Sequence, residues 1–291
     1  MLLDNISLLL QKIFEIYKEQ LPIIFGLACL FAVMSIFKSH ASDPNKVWWR
    51  SRGLATDIAY ALIHGIAAPY FKLPALVLAY ALLSSTVMTQ DEVAAFFRNG
   101  GGPLHVLPFW GQVIVQLLVA DLFLYWLHRI FHGNTLWRYH AVHHSSEDLD
   151  WMSAYRSHPI NVIMQPALVS IIMLTLGISP AVMAFLLPFD IITAAWVHSN
   201  LNWTLGPLKY VIATPVFHRW HHTLPDEGGN SNFAPTFSFW DYIFGTFYMP
   251  EGKIPQDFGC DDPHLPEGYF KQLLYPFRPK GNAAPSIEPA E

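Results

Sequence analysis

Long apolar runs constrain the fold of this chain more than any other feature of its sequence. Residues 21–37 contain no charged side chain. Further apolar runs occupy residues 107–127, 160–177 and 180–197. A helix needs about 20 mostly apolar residues to cross a bilayer. Charged residues make up 13% of the chain, against about 25% in soluble domains. The sequence therefore predicts an all-α, polytopic membrane protein with a helical transmembrane bundle.

Histidines are concentrated in clusters beside these runs. Two clusters lie within His128–His144 (HRIFHGNTLWRYHAVHH), and a third (HRWHH) occupies residues 218–222. Side chains three and four residues apart share one face of a helix, so each cluster is predicted to aim several imidazoles in one direction. Neutral imidazole is a common protein ligand for iron, zinc, copper and nickel. The predicted metal ligands are His128, His132, His140, His143, His144, His218, His221 and His222.

Two further histidines are included in the predicted metal site. His198 follows the run 180–197, where it either joins the ligands or serves as a hydrogen-bonding anchor at the membrane interface. His158 precedes Pro159, which suits the first position of a helix. His158 is interpreted equally as a ligand or as an outer partner of one.

The predicted topology brings these histidines to one side of the membrane. Two apolar runs, separated by the helix breakers Gly177 and Pro180, return the chain to the side that it left after His144. Lys and Arg side chains lie on that side and in residues 38–55, which indicates the cytoplasm. The number of crossings within residues 56–106 stays open. The basic residues of the histidine side are Arg129, Arg138, Arg156, Lys209 and Arg219.

Three other residues are candidates for catalytic support. Asp121 and Tyr125 lie on the same helical stripe as His128. An aspartate inside a membrane helix is costly and usually functional, so Asp121 is interpreted as an acceptor for the N–H of a ligating imidazole. The alternative is a packing residue bonded to backbone or to a tyrosine. Glu147, three residues after His144, either orients a ligand or is a solvated loop acid.

The number of histidines exceeds the capacity of a single ion. Structural zinc takes about four ligands and octahedral metals about six, so eight or nine convergent imidazoles predict two metal ions. A zinc hydrolase usually needs about three protein ligands, which argues against hydrolysis. The net charge of −5 and the lack of a basic run indicate no nucleic-acid partner. Cys29 and Cys260 fit neither a disulfide framework nor a zinc–cysteine site.

The order of the clusters, His-x3-His, His-x2-His-His and His-x2-His-His, resembles the fatty acid hydroxylase and sterol desaturase superfamily. So do the seven residues between His132 and His140, and the segments DLFLYWLHRIFH, YRSHP and NFAPTFSFWDYIFGTF. The resemblance covers residues 107–249. It is specific for the family but not for the substrate, because the clusters bind metal and not lipid. One departure is Asn202, where some fatty acid hydroxylases carry another histidine. If that histidine is a ligand in those enzymes, the ligand set here is smaller by one.

The resemblance implies a membrane-bound, non-haem di-iron oxygenase with two Fe ions as cofactor and O2 as co-substrate. Such an enzyme hydroxylates or desaturates a C–H bond of a lipid, which is a sterol, a fatty acyl chain or a related molecule. Its electrons come from a separate donor, namely a ferredoxin, a small haem protein or a reductase. The alternative is a metal-dependent lipid hydrolase or a catalytically silent membrane scaffold. The choice between hydroxylation and desaturation stays open, as does the oligomeric state.

The chain is predicted to have three parts. Residues 1–106 form N-terminal membrane-anchoring helices, beginning with an amphipathic helix over residues 1–20. Residues 107–249 form the catalytic domain, and residues 250–291 form a polar C-terminal tail. The resemblance to bacterial members implies an integral protein of the bacterial inner membrane. Its histidine-rich di-metal cap is then cytoplasmic.

Overall fold

The computed structural model describes residues 22–34, 36–64 and 102–278, together with residues 18, 89, 91, 92 and 95. Within these residues the regular structure is helical, apart from an isolated bridge between Ala41 and Leu201. This confirms the predicted all-α class. The helices are α1 (Pro22–Met34), α2 (Leu54–His64), α3 (Phe109–Phe131), α4 (Trp137–His144), α5 (Pro159–Leu176), α6 (Pro180–His198), α7 (Pro215–His221), α8 (Phe239–Ile243) and α9 (Tyr269–Leu274).

Three of the described helices, α3, α5 and α6, are long and apolar enough to cross a membrane. Their facing sides pack together through Val113 and Ala120 of α3, Val169 and Met173 of α5, and Val182 of α6. Large apolar side chains remain exposed on the outer sides of all three. Exposed apolar faces are unfavourable in water and are the expected surface in lipid. The predicted polytopic bundle is therefore confirmed.

At one end of this bundle, the turn between α5 and α6 packs closely against the segment before α3. Gly177 ends α5 with φ at +96°, a left-handed conformation that favours glycine. A Cβ added to Gly177 would lie 2.5 Å from the carbonyl oxygen of Gly102. The segment before α3 and the turn between α5 and α6 are therefore at the same end. The histidine-bearing ends of the three helices lie at the other end, as the predicted topology requires.

Short helices form a cap at the histidine end, and local sequence sets where they begin. The hydroxyl of Thr214 accepts the N–H of Phe217 at 3.1 Å, and Pro215 is the first residue of α7. The ring of His158 likewise accepts the N–H of Ile160 at 3.1 Å at the start of α5. These caps fix the directions in which α5 and α7 leave the cap.

The flanking segments pack onto this cap. Tyr60 of α2 is fully buried in a cluster with Ala141 and Val142 of α4 and with Tyr269 and Tyr275 of the C-terminal segment. The part of the predicted polar tail that the structure describes, residues 250–278, thus contacts the histidine helix. The division into three domains stays a prediction.

The structure describes part of the predicted N-terminal region. Within the run 21–37, residues Pro22–Met34 form a helix. Apart from Lys18, the interfacial helix predicted for residues 1–20 lies outside the described residues, and so do residues 65–88.

Candidate metal centre

Nine buried imidazoles meet at the capped end of the bundle, and none is more than 9% exposed. They form two groups, and within each the ligand nitrogens lie within 4.8 Å of one another. The five-histidine group consists of His128, His132, His140, His144 and His221. The four-histidine group consists of His143, His198, His218 and His222. All eight cluster histidines and His198 are therefore brought together.

The clusters on α4 and α7 each supply both groups. On α4, His140 and His144 enter the five-histidine group, whereas His143 enters the four-histidine group. On α7 the assignment is reversed, since His221 enters the five-histidine group and its two cluster neighbours enter the other. Successive residues of an α-helix point about 100° apart, so adjacent histidines serve adjacent sites. The imidazoles of one cluster thus point in two directions and not in the single direction that the spacing predicts.

Facing Nε2 atoms are spaced as neighbouring ligands of one ion would be. In the five-histidine group, the Nε2 atoms of His128 and His140 are 2.9 Å apart. In the four-histidine group, the Nε2 of His198 lies 3.2 Å from that of His143 and 3.2 Å from that of His218. Ligand nitrogens about 2.1 Å from a shared ion are separated by about 3.0 to 3.4 Å in octahedral or tetrahedral geometry. Both groups therefore have the spacing of metal sites.

Hydrogen bonds at Nδ1 of a histidine, the ring nitrogen that faces away from the group, determine that Nε2 carries the free lone pair. In the four-histidine group, Nδ1 of His143 donates to the carbonyl oxygen of Arg156 at 2.9 Å, and Nδ1 of His198 donates to that of Ala194 at 2.7 Å. In a neutral imidazole the other nitrogen, Nε2, is then a bare acceptor. Two such lone pairs 3.2 Å apart repel each other unless a cation lies between them. The donor set therefore fits a metal ion.

The five-histidine group is oriented in the same way. Nδ1 of His128 donates to the carbonyl oxygen of Phe233 and Nδ1 of His221 to that of Ser231, both at 2.7 Å. Three Nε2 atoms are buried without a hydrogen-bond partner among the described residues, those of His132, His144 and His221. Buried polar atoms are nearly always paired, so three unpaired nitrogens in one group fit a shared ligand.

A buried asparagine that the sequence analysis missed orients His140. Nδ2 of the Asn161 side-chain amide lies 2.7 Å from Nδ1 of His140, and Oδ1 of Asn161 is buried without a partner. Amide oxygen and nitrogen are assigned from their hydrogen bonds, and rotating the group by 180° places Oδ1 as the acceptor. Nε2 of His140 is then free to bind a metal. An asparagine in the first turn of an apolar helix was the available signal.

Burial keeps the imidazoles uncharged. Loss of solvation lowers the pKa of His143 to about 4. Burial, reinforced by neighbouring imidazoles, also lowers the pKa of His132, His140 and His144 well below 6.5. The same causes lower the pKa of the α7 histidines. At neutral pH these groups are neutral ligands, and no proton has to leave before a metal binds.

Metal uptake by the folded apoprotein is therefore expected to release few protons. A site with an ordinary pKa of about 6.5 loses about half a proton per imidazole when a metal binds at pH 6.5. Here the lowered pKa values leave the proton off throughout pH 6 to 7, and protonation of His143 competes only as the pH falls towards 4. Co2+ titration in weakly buffered detergent, with a pH indicator, measures the release. Two or more protons per ion at pH 6.5 would contradict neutral, pre-arranged ligands.

Asp121 and Tyr125 are both buried and hold the chain beyond α7. Oδ2 of Asp121 accepts the backbone N–H of Phe237 at 3.0 Å, so this contact is with backbone and not with an imidazole. This contact is of the kind expected for a packing residue, and the role of Asp121 stays a prediction. The Tyr125 hydroxyl lies 2.9 Å from Oγ1 of Thr246. Asp121 therefore holds the chain at Phe237, and Tyr125 holds it at Thr246.

Glu147 and His158 lie apart from the two groups. The Glu147 side chain is 61% exposed and pairs with Arg52 at 3.1 Å, as expected for a solvated loop acid. His158 uses both ring nitrogens in backbone contacts, Nε2 at 3.1 Å from the Leu273 oxygen and Nδ1 as the acceptor for Ile160 N–H. Its ring therefore caps α5 and contacts the C-terminal segment.

Asp241 is a second residue that sequence reasoning missed. Its Oδ1 accepts the N–H of Phe233 and the hydroxyl of Thr246, both at 2.7 Å, and its Oδ2 accepts the N–H of Ala234 at 2.8 Å. Burial raises the pKa of Asp241 to about 6, so it is ionised at neutral pH. Asp241 holds the backbone N–H of Phe233, and the carbonyl of Phe233 accepts a hydrogen bond from Nδ1–H of His128. Asp241 therefore supports a histidine of the five-histidine group through the backbone.

The sequence surrounding these groups matches a known family. The family model described as fatty acid hydroxylase matches residues 113–246. This matched stretch is called the hydroxylase domain below, after the family that it resembles. This confirms the resemblance seen in the histidine spacing. All nine histidines of the two groups and Asp241 lie within the hydroxylase domain.

Three relatives of the hydroxylase domain come from different kingdoms. Ornithine lipid hydroxylase OlsE of Rhizobium tropici is 33% identical over 175 residues, covering 60% of this chain and 53% of the relative. Alkylglycerol monooxygenase of Homo sapiens is 36% identical over 138 residues, 47% of this chain and 31% of the relative. Methylsterol monooxygenase 1-1 of Arabidopsis thaliana is 30% identical over 151 residues, 46% of each. The chain thus spans at most 53% of the length of these three. No solved structure matches the chain.

Proposed function

We propose that this protein is a membrane-bound di-iron oxygenase that hydroxylates a C–H bond of a lipid. The observation that carries the proposal is the position of the two histidine groups at the ends of membrane-length helices. His128 lies in the last turn of α3 and His198 is the last residue of α6. A lipid reaches such a site without leaving the bilayer. Because the groups lie at helix ends, we place the oxidised carbon near the polar end of that lipid.

The nine histidines of the two groups are the proposed ligands, with one iron ion in each group. Imidazole nitrogen suits iron, and the surplus over the roughly three protein ligands of hydrolytic zinc favours redox chemistry. When bound, the iron pair supplies the electrons and the oxidising power for splitting O2 and removing hydrogen from an unactivated carbon. The chain's own residues keep the imidazoles neutral and exclude water by burial. Backbone carbonyls fix the tautomers of four of them, His128, His143, His198 and His221.

The names of the relatives favour hydroxylation over desaturation. They are called a hydroxylase and monooxygenases, and their named lipids are ornithine lipid, alkylglycerol and methylsterol. In the proposed reaction, a lipid C–H bond, O2, two electrons and two protons give an alcohol and water. One oxygen atom enters the new C–O–H group and the other leaves as water. The electrons come from a separate donor, a ferredoxin, a small haem protein or a reductase.

Labelled oxygen tests this function directly. Membranes that contain the protein, supplied with a reductant and 18O2, are expected to yield a lipid that carries one 18O atom. Mass spectrometry of total lipid extracts detects the product, and membranes with the His143→Ala variant serve as the control. A lipid that loses two hydrogens and gains no 18O would indicate desaturation. A product that takes its oxygen from 18O-labelled water would indicate hydrolysis and contradict the proposal.

We propose that the metal centre faces the cytoplasm of a bacterial cell. Arg156 and Arg219 are buried in the protein, so the supporting positive charges are Arg129, Arg138 and Lys209, which are partly exposed. Basic residues on one side of the membrane indicate the cytoplasm.

Cysteine labelling of sealed vesicles tests this orientation. In a chain with Cys29 and Cys260 replaced by serine, exposed single cysteines at Glu147 and Asp226 should react from the cytoplasmic side. A cysteine at exposed His105, at the other end of the bundle, should react from the opposite side. Labelling of Glu147 and His105 positions from the same side would contradict the topology.

A further inference from the structure

Arg156 connects the four-histidine group with a helix that precedes the fatty acid hydroxylase domain. Its carbonyl oxygen accepts the Nδ1–H of His143 at 2.9 Å. Its guanidinium extends to α2, where Nε donates to Oδ1 of Asp57 at 2.6 Å. A single residue is thus bonded to a proposed metal ligand through its backbone and to α2 through its side chain.

The contact between Arg156 and Asp57 is a buried ion pair, and each of the three guanidinium nitrogens has a hydrogen-bond acceptor. The two side chains are 5% and 0% exposed, respectively. Nη1 of Arg156 donates to the carbonyl oxygen of Ser145 at 3.3 Å, and Nη2 donates to that of Gly53 at 3.2 Å. Exposed ion pairs contribute little, whereas a buried charge that loses its partner is strongly unfavourable. The position of Arg156 is therefore set by α2 and by the end of α4.

Gly53 provides the space in which the guanidinium lies. Its φ is +76°, and an added Cβ would lie 2.5 Å from Nη2 of Arg156. A side chain at this position would strain the backbone and displace the guanidinium. The residue before α2 is thus shaped to receive Arg156.

We infer that Asp57 is a positioning residue for the four-histidine group. Asp57 holds the side chain of Arg156. It thereby fixes the Arg156 carbonyl, which accepts a hydrogen bond from Nδ1–H of His143. This contact determines that Nε2 of His143 faces the other imidazoles of the group. The inference rests on the proposed di-metal function and assigns part of the metal site to α2, which precedes the matched residues 113–246.

The Asp57→Asn variant tests the inference by metal binding. Its neutral amide keeps the size of the side chain and removes the charge that pairs with Arg156. The four-histidine group is expected to bind Co2+ about 10- to 100-fold more weakly, as is typical when an outer partner of a ligand is lost. Binding to the five-histidine group is expected to stay unchanged. Anaerobic titration of purified protein, with equilibrium dialysis for stoichiometry, resolves the two affinities.

Additional histidine substitutions identify which ion is weakened. On the Asp57→Asn background, His222→Ala should change the amount of Co2+ bound at low Co2+ concentration only slightly. His222 belongs to the four-histidine group, whose affinity Asp57→Asn has already lowered. His132→Ala on the same background should remove the remaining tight ion. The matched control is Arg52→Gln, because the exposed Arg52–Glu147 pair joins the same two segments of chain without contacting Arg156. This control is expected to bind both ions as the wild type does.

A double variant with an apolar pair at positions 57 and 156 separates an effect on metal binding from an effect on folding stability. In the Asp57→Leu/Arg156→Met double variant no buried charge is left unpaired, so the melting temperature is expected to recover relative to Asp57→Asn. The four-histidine group should still bind weakly, because the carbonyl of residue 156 has lost its side-chain anchor. Gly53→Ala should weaken the same group by displacing the guanidinium, with Asp57 in place.

The outcomes distinguish the inference from the proposed function. Fewer than two Co2+ ions bound by the wild type would contradict the di-metal centre itself. Two ions in the wild type with unchanged affinities in Asp57→Asn would overturn only the role of Asp57. Recovery of both melting temperature and tight binding in the apolar pair would also overturn it, since the ion pair would then serve folding alone.

Discussion

Alanine in place of His143 is expected to abolish lipid hydroxylation and to reduce the bound iron from two ions to one per chain. His143 is one of the four histidines of its group, and its Nε2 lies 3.2 Å from that of His198. Losing an outer partner of a metal ligand costs roughly 10- to 100-fold, so losing a ligand should cost more than about 100-fold in turnover. In the proposed reaction both ions would be needed, because the pair would supply the electrons for O2.

Iron content, turnover and melting temperature should be measured on the same preparation of His143→Ala. The matched control is His264→Ala, which removes an exposed histidine outside both groups and should retain two ions and full turnover. A His143→Ala protein with two tightly bound irons and normal turnover would contradict the assignment of His143 as a ligand.

The Asp241→Asn variant is expected to destabilise the fold and to weaken the metal in the five-histidine group. Its carboxylate accepts three hydrogen bonds, two from backbone N–H groups and one from Thr246. An amide has one acceptor atom, and its NH2 group would face a donor. Hydrogen bonds to charged groups are worth about 1.5 to 3 kcal/mol each, so the free energy of unfolding should fall by about 3 kcal/mol. The displaced Phe233 carbonyl would no longer hold His128.

Asp121→Asn provides the comparison for Asp241→Asn. Asp121 is buried at a similar level, but its contact is with the N–H of Phe237, outside the segment that bonds to His128. Its replacement should lower the melting temperature and leave two irons bound. Metal titration and thermal unfolding of both variants give the result. Normal iron affinity in Asp241→Asn would contradict its support of His128. Iron loss in Asp121→Asn would favour the interpretation of Asp121 as an orienting group.

Spacing along the sequence predicted the features that repeat within a helix. The apolar runs predicted α3, α5 and α6, and the three- and four-residue spacing of histidines predicted eight of the nine residues of the two groups. The ninth, His198, was predicted from its place at the end of an apolar run. The division into two groups depends on how α4 and α7 face each other. The spacing of residues within one helix does not predict how two helices face each other. Asp57 was visible as an acid in an apolar run, but its partner Arg156 is 99 residues away. Glu147 illustrates the same limit, because spacing from His144 does not fix the direction of the loop.

The outer contacts of the histidines were the least predictable part of the site. His128, His143, His198 and His221 donate to main-chain carbonyls, and a carbonyl is present at every residue, so it leaves no mark in the sequence. Asn161 and Asp241 do carry side-chain signals, as polar residues among apolar neighbours. Their roles required knowing which imidazole or loop each one contacts.

Main-chain acceptors also affect how this centre tolerates genetic change. The side chains of Ala194, Ser231 and Phe233 take no part in the carbonyl contacts that hold His198, His221 and His128. Mutations at these positions that preserve the path of the chain leave the tautomer of each histidine intact. The residues around the two histidine groups can therefore diversify while the histidines keep their orientation. In the proposed hydroxylase, new lipid specificities can thus evolve without rebuilding the metal site.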